Sequence, residues 1–270
     1  MATRPVEIHT IDAFTSEPFA GNPAGVCVLE DARSDRWLQA VAAEMNLSET
    51  AFLWPDGAGY RLRWFTPKVE VPLCGHATLA SAHLLLETRR ARDGAVRFPS
   101  QSGELRAVRA DDGWIELDLP AFRAEPSLLP ANVAVALGVM PIEASTVERL
   151  NGTSWLCEME TERDVRGARP DPRALVAAGA PSIMLTTRGD GSGFDFVSRY
   201  FAPGAGIDED PVTGAAHCAL APYWAKKLGK TEMLAYQASV RGGVVGVRVA
   251  GDRVVLRGQA VTVVSGQLLK

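Results

Sequence analysis

RWFTPKVEVPLCGHATLASAH, residues 63–83, passes from an alternating stretch through a glycine-bearing turn into a segment that is apolar nearly all round. Tyr60, Leu62 and Trp64 alternate with Arg61 and Arg63, the period of a strand with one buried face. Thr78 to Glu87 has the character of a helix that belongs inside a core. RYFAPGAGIDEDPVTGAAH, residues 199–217, repeats the theme. Phe65-x-Pro67 and Pro72-x-x-Gly75-x-Ala77 return as Phe201-x-Pro203 and Pro211-x-x-Gly214-x-Ala216, with three more residues between the prolines. A second apolar helix is predicted from about Ala215 to Leu228, stopping at Gly229. Each copy is a strand, a turn and a helix start, which points to two similar lobes.

Outward from these two segments, Pro5 to Phe14 predicts a strand, Phe19 to Gly25 a loop rich in glycine and proline, and Val26 to Leu29 a short strand. Ser34 is placed to cap a helix reaching about Asn46, with Trp37, Leu38, Val41, Ala42 and Met45 on one face. Strands are expected at Thr50–Trp54 and Tyr60–Phe65 around a Pro55-Asp56-Gly57 turn, then at Val96–Phe98, Leu105–Val108 and Trp114–Leu119. Asp111-Asp112-Gly113 is a hairpin signal. In the second half, helices at Ala131–Leu137 and Pro172–Ala178 alternate with strands at Ser154–Glu158, Ser182–Thr186 and Asp195–Phe201. Leu234 to Leu269, rich in valine and glycine, predicts several antiparallel strands.

Composition narrows the class of function. The 270 residues are 47% hydrophobic and 22% charged, with a net charge of −4 and basic residues scattered along the chain. That balance argues against nucleic acid or an anionic membrane as the main partner. No apolar run approaches the roughly 20 residues that cross a bilayer, and MATRPVEIHT lacks the apolar stretch of a signal peptide. Cys27, Cys74, Cys157 and Cys218 are far apart and form no CxxC pair. A cytoplasmic, reduced protein without a zinc framework is expected.

The two turns have the makings of a binding site. First-turn N–H groups of a helix are unpaired and carry partial positive charge, so they attract carboxylates and phosphates. Gly75 and Gly214 would let a ligand come close to both helix starts, or would simply make tight strand-to-helix turns. His76 follows Gly75 beside Cys74, Asp210 precedes Pro211, and Glu49 lies between a helix end and an apolar strand. His76 and His83 are seven apart, which does not place two ligands on one helical face, so no metal site is expected. His83, His217 and Cys218 read as packing groups.

With these residues in view, IDAFTSEPFAGNPAGV (11–26), LSETAF (47–52), residues 63–83 and 199–217, and GQAVTVVSGQL (258–268) together resemble the PhzF-like proteins of phenazine biosynthesis, in the same order along the whole chain. The resemblance implies an α+β, diaminopimelate-epimerase-like fold: two pseudo-symmetric lobes, each a central buried helix wrapped by a curved, mostly antiparallel sheet, with the active site between them. The lobes would be 1–119 plus about 258–270, and 120–257. It also implies a homodimer using no metal, flavin or pyridoxal phosphate, and a small acidic metabolite as substrate. Glu49 stands where the family's glutamate moves a proton between carbons, and His76 and Asp210 match the other polar residues of that site. Asn22, Gly75, Thr213, Gly214 and Ala215 are the expected substrate contacts. The family member that defined the chemistry has a serine where this chain has Ala215, so the phenazine precursor is not assumed to be the substrate.

Two other functions fit the same residues. A two-thiol amino-acid racemase or epimerase of this fold needs a cysteine on each side of the substrate; Cys74 opens the first turn, but its counterpart is Thr213. A small-acid binding protein without turnover needs only the helix starts.

Overall fold

The computed structural model describes residues 5–91, 93–149, 152–189, 191 and 193–269, so the first four residues of the opening stretch lie outside it. In chain order the first elements are β1 (Val6–Ala13), β2 (Asn22–Val28), α1 (Asp35–Met45), β3 (Glu49–Asp56), β4 (Gly59–Phe65), β5 (Glu70–Val71), α2 (Gly75–Glu87), β6 (Ala95–Ser100), β7 (Gly103–Arg109) and β8 (Ile115–Pro120). There follow β9 (Ala124–Pro126), α3 (Ala131–Leu137), β10 (Glu143–Arg149), β11 (Gly152–Glu158), α4 (Glu162–Gly167), α5 (Pro172–Ala177), β12 (Ile183–Arg188), β13 (Phe196–Ala202) and β14 (Ile207–Asp210). The chain continues with α6 (Gly214–Leu228), β15 (Glu232–Gln237), β16 (Gly243–Ala250), β17 (Arg253–Gly258) and β18 (Ala260–Leu268). Contacts group these into two compact units, Met1–Asp118 with Arg257–Lys270, and Leu119–Leu256.

In the first unit six strands are ordered β18-β1-β2-β3-β4-β5, antiparallel except for β2 beside β3. Helix α1 begins at Ser34, whose side chain accepts from the Trp37 N–H, and ends at Asn46 in the left-handed region. Its Leu38, Val41 and Ala42 bury against Ile8, Cys27, Phe52 and Phe65. Helix α2 packs on β1, β2 and β3, and ten of its residues are buried. Two of its hydroxyls are satisfied within the helix: Thr78 Oγ1 donates to the Cys74 carbonyl and Ser81 Oγ to that of Ala77.

In the second unit the order is β17-β16-β15-β13-β12-β11-β10-β9, with β14 paired to β13. Ile183, Leu185, Val197 and Phe201 face a core shared with α3, α4 and α5. Helix α6 is buried through Trp224, whose indole N–H donates to Thr186 Oγ1 at 2.9 Å. Pro222 lies inside α6 and cannot donate to the Cys218 carbonyl one turn earlier; the Phe122 N–H takes that carbonyl instead, at 2.9 Å.

Several expectations shift. β2 starts at Asn22, so half of the predicted glycine-proline loop is strand, and Gly25 is needed there because a Cβ would meet Thr50 Oγ1 at 2.8 Å. β3 runs on through Asp56, leaving the turn at Gly57 and Ala58. α2 begins at Gly75 rather than Thr78. β9, β10, β14 and α4 were not expected. β15 runs parallel to β13, so the tail is not wholly antiparallel.

Gly258 marks where the returning chain meets α2. A Cβ there would lie 2.5 Å from Phe14 Cδ1 and 2.8 Å from Leu79 Cδ2, both fully buried. Gly258→Ala should therefore cost about 1–3 kcal/mol by overpacking, read as a lower urea midpoint with an unchanged slope.

Candidate functional site

The register of β2 and β3 builds a polar cluster within the first unit. Ala24 is opposite Glu49 in the parallel pair, and alternation puts Asn22 and Glu49 on one face. Phe52 and Cys27 point the other way, toward α1. Onto the first face α2 delivers His76 from its opening turn. Asn22 Nδ2 lies 3.2 Å from His76 Nδ1, and His76 Nε2 lies 3.4 Å from Glu49 Oε2.

An amide nitrogen can only donate, so Nδ1 accepts and the imidazole proton resides on Nε2, toward the carboxylate. The Nε2–Glu49 contact is within ion-pair reach but lacks the alignment of a hydrogen bond. His76 is buried, and burial pushes its pKa down to about 3, so the ring is neutral at neutral pH. The Glu49 side chain keeps 13% of its exposure, enough to meet a ligand while largely out of water.

Cys74 Sγ sits 3.5 Å from His76 Nδ1. Glu49, Cys74 and His76 offer ligand atoms within 4.8 Å of one another. The sulfur addresses one ring nitrogen and the carboxylate the other, whereas a metal needs all three donors to converge on one point.

The second unit makes its own cluster. Asp210 closes β14 opposite Tyr200 and is buried. Thr213 precedes α6 but does not cap it; its Oγ1 donates to Asp210 Oδ2 at 2.5 Å. The Thr213 N–H donates to Gln237 Oε1 at 2.8 Å, and Gln237 Nε2 donates to the Asp210 carbonyl at 2.7 Å. Gln237 was missed from the sequence. The alternation of Met233, Ala235 and Gln237 along β15 does carry the signal, since it turns a buried amide inward where it must find partners.

Neither α2 nor α6 receives a side-chain cap, while α1, α4 and α5 do. Gly75 and Gly214 are buried at the uncapped starts, and Ala215 is half-buried. His217 stays a packing group: Nδ1 lies 2.9 Å from the Thr213 carbonyl and the ring lies against Phe196. Burial pushes the Cys218 thiol up to about 12, leaving it unsuited to proton transfer. Arg63 and Arg199 are held in ion pairs, and Arg199 is buried.

A model of the phenazine biosynthesis-like protein family matches residues 11–266. An uncharacterized isomerase of Halalkalibacterium halodurans is 46% identical, over 100% of both chains. The human phenazine biosynthesis-like domain-containing protein is 40% identical, covering 97% of this chain and 98% of its own. The crystal structure of a PhzF-family protein from Enterococcus faecalis superposes with a TM-score of 0.91 at 38% identity, covering 98% of this chain and 99% of that one.

Two of the buried histidines fix a pH dependence. His76 and His217 are pushed down by burial to about 3 and about 4 from 6.5. As pH falls below 6.5 the unfolded chain takes up protons that the folded chain refuses, so stability drops as pH falls and rises as pH returns. Each group contributes a slope of ~1.4 kcal/mol per pH unit in that window. His217→Gln should make the pH dependence of unfolding free energy shallower by about one proton between pH 4 and 6.5, measured by urea titration across that range.

Proposed function

The chain belongs to the phenazine biosynthesis-like protein family, and from that membership we propose that it is a cofactor-independent isomerase that moves a carbon-bound proton on a small acidic metabolite. The observation that carries this reading is the cluster Asn22–His76–Glu49, a half-buried carboxylate with one oxygen 3.4 Å from Nε2 of a neutral imidazole. Relatives named as isomerases support the reaction class. A carbon acid is weak, so its base must sit close to the proton and the forming enolate must be stabilised.

Glu49 takes the proton in this reading. His76, with Nε2 3.4 Å from the carboxylate, assists return of the proton at the second carbon. Uncapped first-turn N–H groups of α2, at Gly75 and His76, suit a developing oxyanion or a substrate carboxylate. Asp210 serves as the further acid–base group, held by Thr213 and Gln237, while Gly214 and Ala215 offer backbone contacts. Thr213 has its N–H and hydroxyl committed, so its main part is to hold Asp210. Alanine at 215 removes a side-chain donor and favours a substrate other than the phenazine precursor. The family resemblance further supports a cytoplasmic homodimer, and none of the described helices is long and apolar enough to cross a membrane.

A two-thiol racemase finds less support, because the position matching Cys74 is Thr213 and Cys218 is a buried, high-pKa thiol. Incubation with a panel of small carboxylic acids in deuterated water, read by NMR, tests the proposal. Glu49→Gln should lower carbon-bound deuterium incorporation by about 10²–10⁴-fold with an unchanged circular dichroism spectrum. Unaltered exchange in that variant would move the base elsewhere; acids that bind but never exchange would mean a binding protein.

A further inference from the structure

Just upstream of α2 and of α6 the chain carries the same device. β5 pairs with β4, and β14 with β13, as short return strands leading into the helix-start turns. In the first copy Arg63 Nε and Nη2 donate to the two oxygens of Glu70, both at 2.7 Å, and the guanidinium lies 5.0 Å over the Phe65 ring. In the second, Arg199 Nε and Nη2 donate to the two oxygens of Glu209 at 2.7 and 2.9 Å, and the guanidinium lies 4.8 Å over Phe201. The third nitrogen anchors each fork to a helix. Arg63 Nη1 reaches Asp35 Oδ1, at the start of α1, at 2.8 Å. Arg199 Nη1 donates to the Val165, Arg166 and Ala168 carbonyls at the C-terminal end of α4.

We propose that Arg63 and Arg199 are a duplicated pair of positioning residues that hold the return strands in register, so that the following turns carry Cys74–His76 and Asp210–Thr213 in reacting geometry. This rests on the function proposed above. The need for a lock follows from strand length: β5 has two residues and β14 four, and the β13–β14 pairing already shifts register between Tyr200 and Ala202. So few ladder bonds specify register weakly, and a slip of one residue turns each side chain to the opposite face. In β14 that slip would exchange Glu209 with Asp210. A planar fork meeting both carboxylate oxygens prevents it, which the point charge of lysine cannot do.

The test is amide hydrogen exchange of the full chain in deuterated water, followed residue by residue, on wild type and Arg199→Lys. The Thr213 N–H, bonded to Gln237 Oε1, is the reporter, and the Leu185 and Val245 amides are the controls. Exchange at Thr213 should rise about tenfold or more with the controls unchanged. Deuterium transfer to any acid that the wild type turns over should fall in kcat by a similar factor, with KM within about twofold. Equal acceleration at all three amides, or none at Thr213, overturns the proposal. Glu209→Gln, which keeps the shape but weakens the fork, serves if Arg199→Lys does not fold, with the same outcomes expected. The amide reporter needs no substrate, so it decides the role of Arg199 even where no acid is turned over. Loss of turnover in Glu49→Gln beside an unmoved Thr213 amide would retain the base and reject the lock.

Discussion

A helix that starts inside a protein must do something with the amide donors of its first turn. Most of the side-chain-capped helices here solve this at the surface, but α2 and α6 begin at buried glycines and receive no cap from the preceding side chain. From that constraint the rest follows. The residue before each helix is released for other work: Thr213 holds the Asp210 carboxyl, and Cys74 sits beside His76. The buried positive end of each helix favours a negatively charged visitor, and the strands on either side supply polar groups to receive it.

Burial also decides the chemistry of His76. An exposed imidazole would be partly protonated near neutrality and would pair with Glu49 as a cation. Sunk beside Asn22, the ring stays neutral and presents one N–H in a fixed direction. A carboxylate facing a neutral donor remains a usable base, whereas one bound to an imidazolium is quenched. The same burial makes the fold sensitive to acid.

Much of the architecture was legible in the sequence because local chemistry and tertiary packing agree. Ser34 announces α1, the apolar stretches announce α2 and α6, and the repeated prolines and glycines mark matching turns. Reading failed where pairing overrides propensity. Asn22 to Gly25 has the residues of a loop, yet β1 recruits it as strand, and Pro23 lies one residue before pairing with β3 begins, where a missing N–H loses nothing on that side. α4 is too short for periodicity to reveal, and its capping box at Thr161 and Asp164 was the available sign. Of the site, Glu49, His76 and Asn22 were named before their contacts were known, and the structure brings those three together. Gln237 and the forks of Arg63 and Arg199 were overlooked because a single polar residue on a strand looks the same in sequence whether it faces water or a partner.

The pairing of β1 with β18 has a consequence for how the chain comes to be. Val6 lies opposite Leu268, so β1 must wait for β18 before this side of it is covered. The intervening unit, Leu119–Leu256, has all its partners in hand earlier. It can settle while β1 still lacks β18, and the pairing of β1 with β18 joins later. Contacts so distant along the chain are slow to form, which makes the β1–β18 seam a late-closing edge of this sheet.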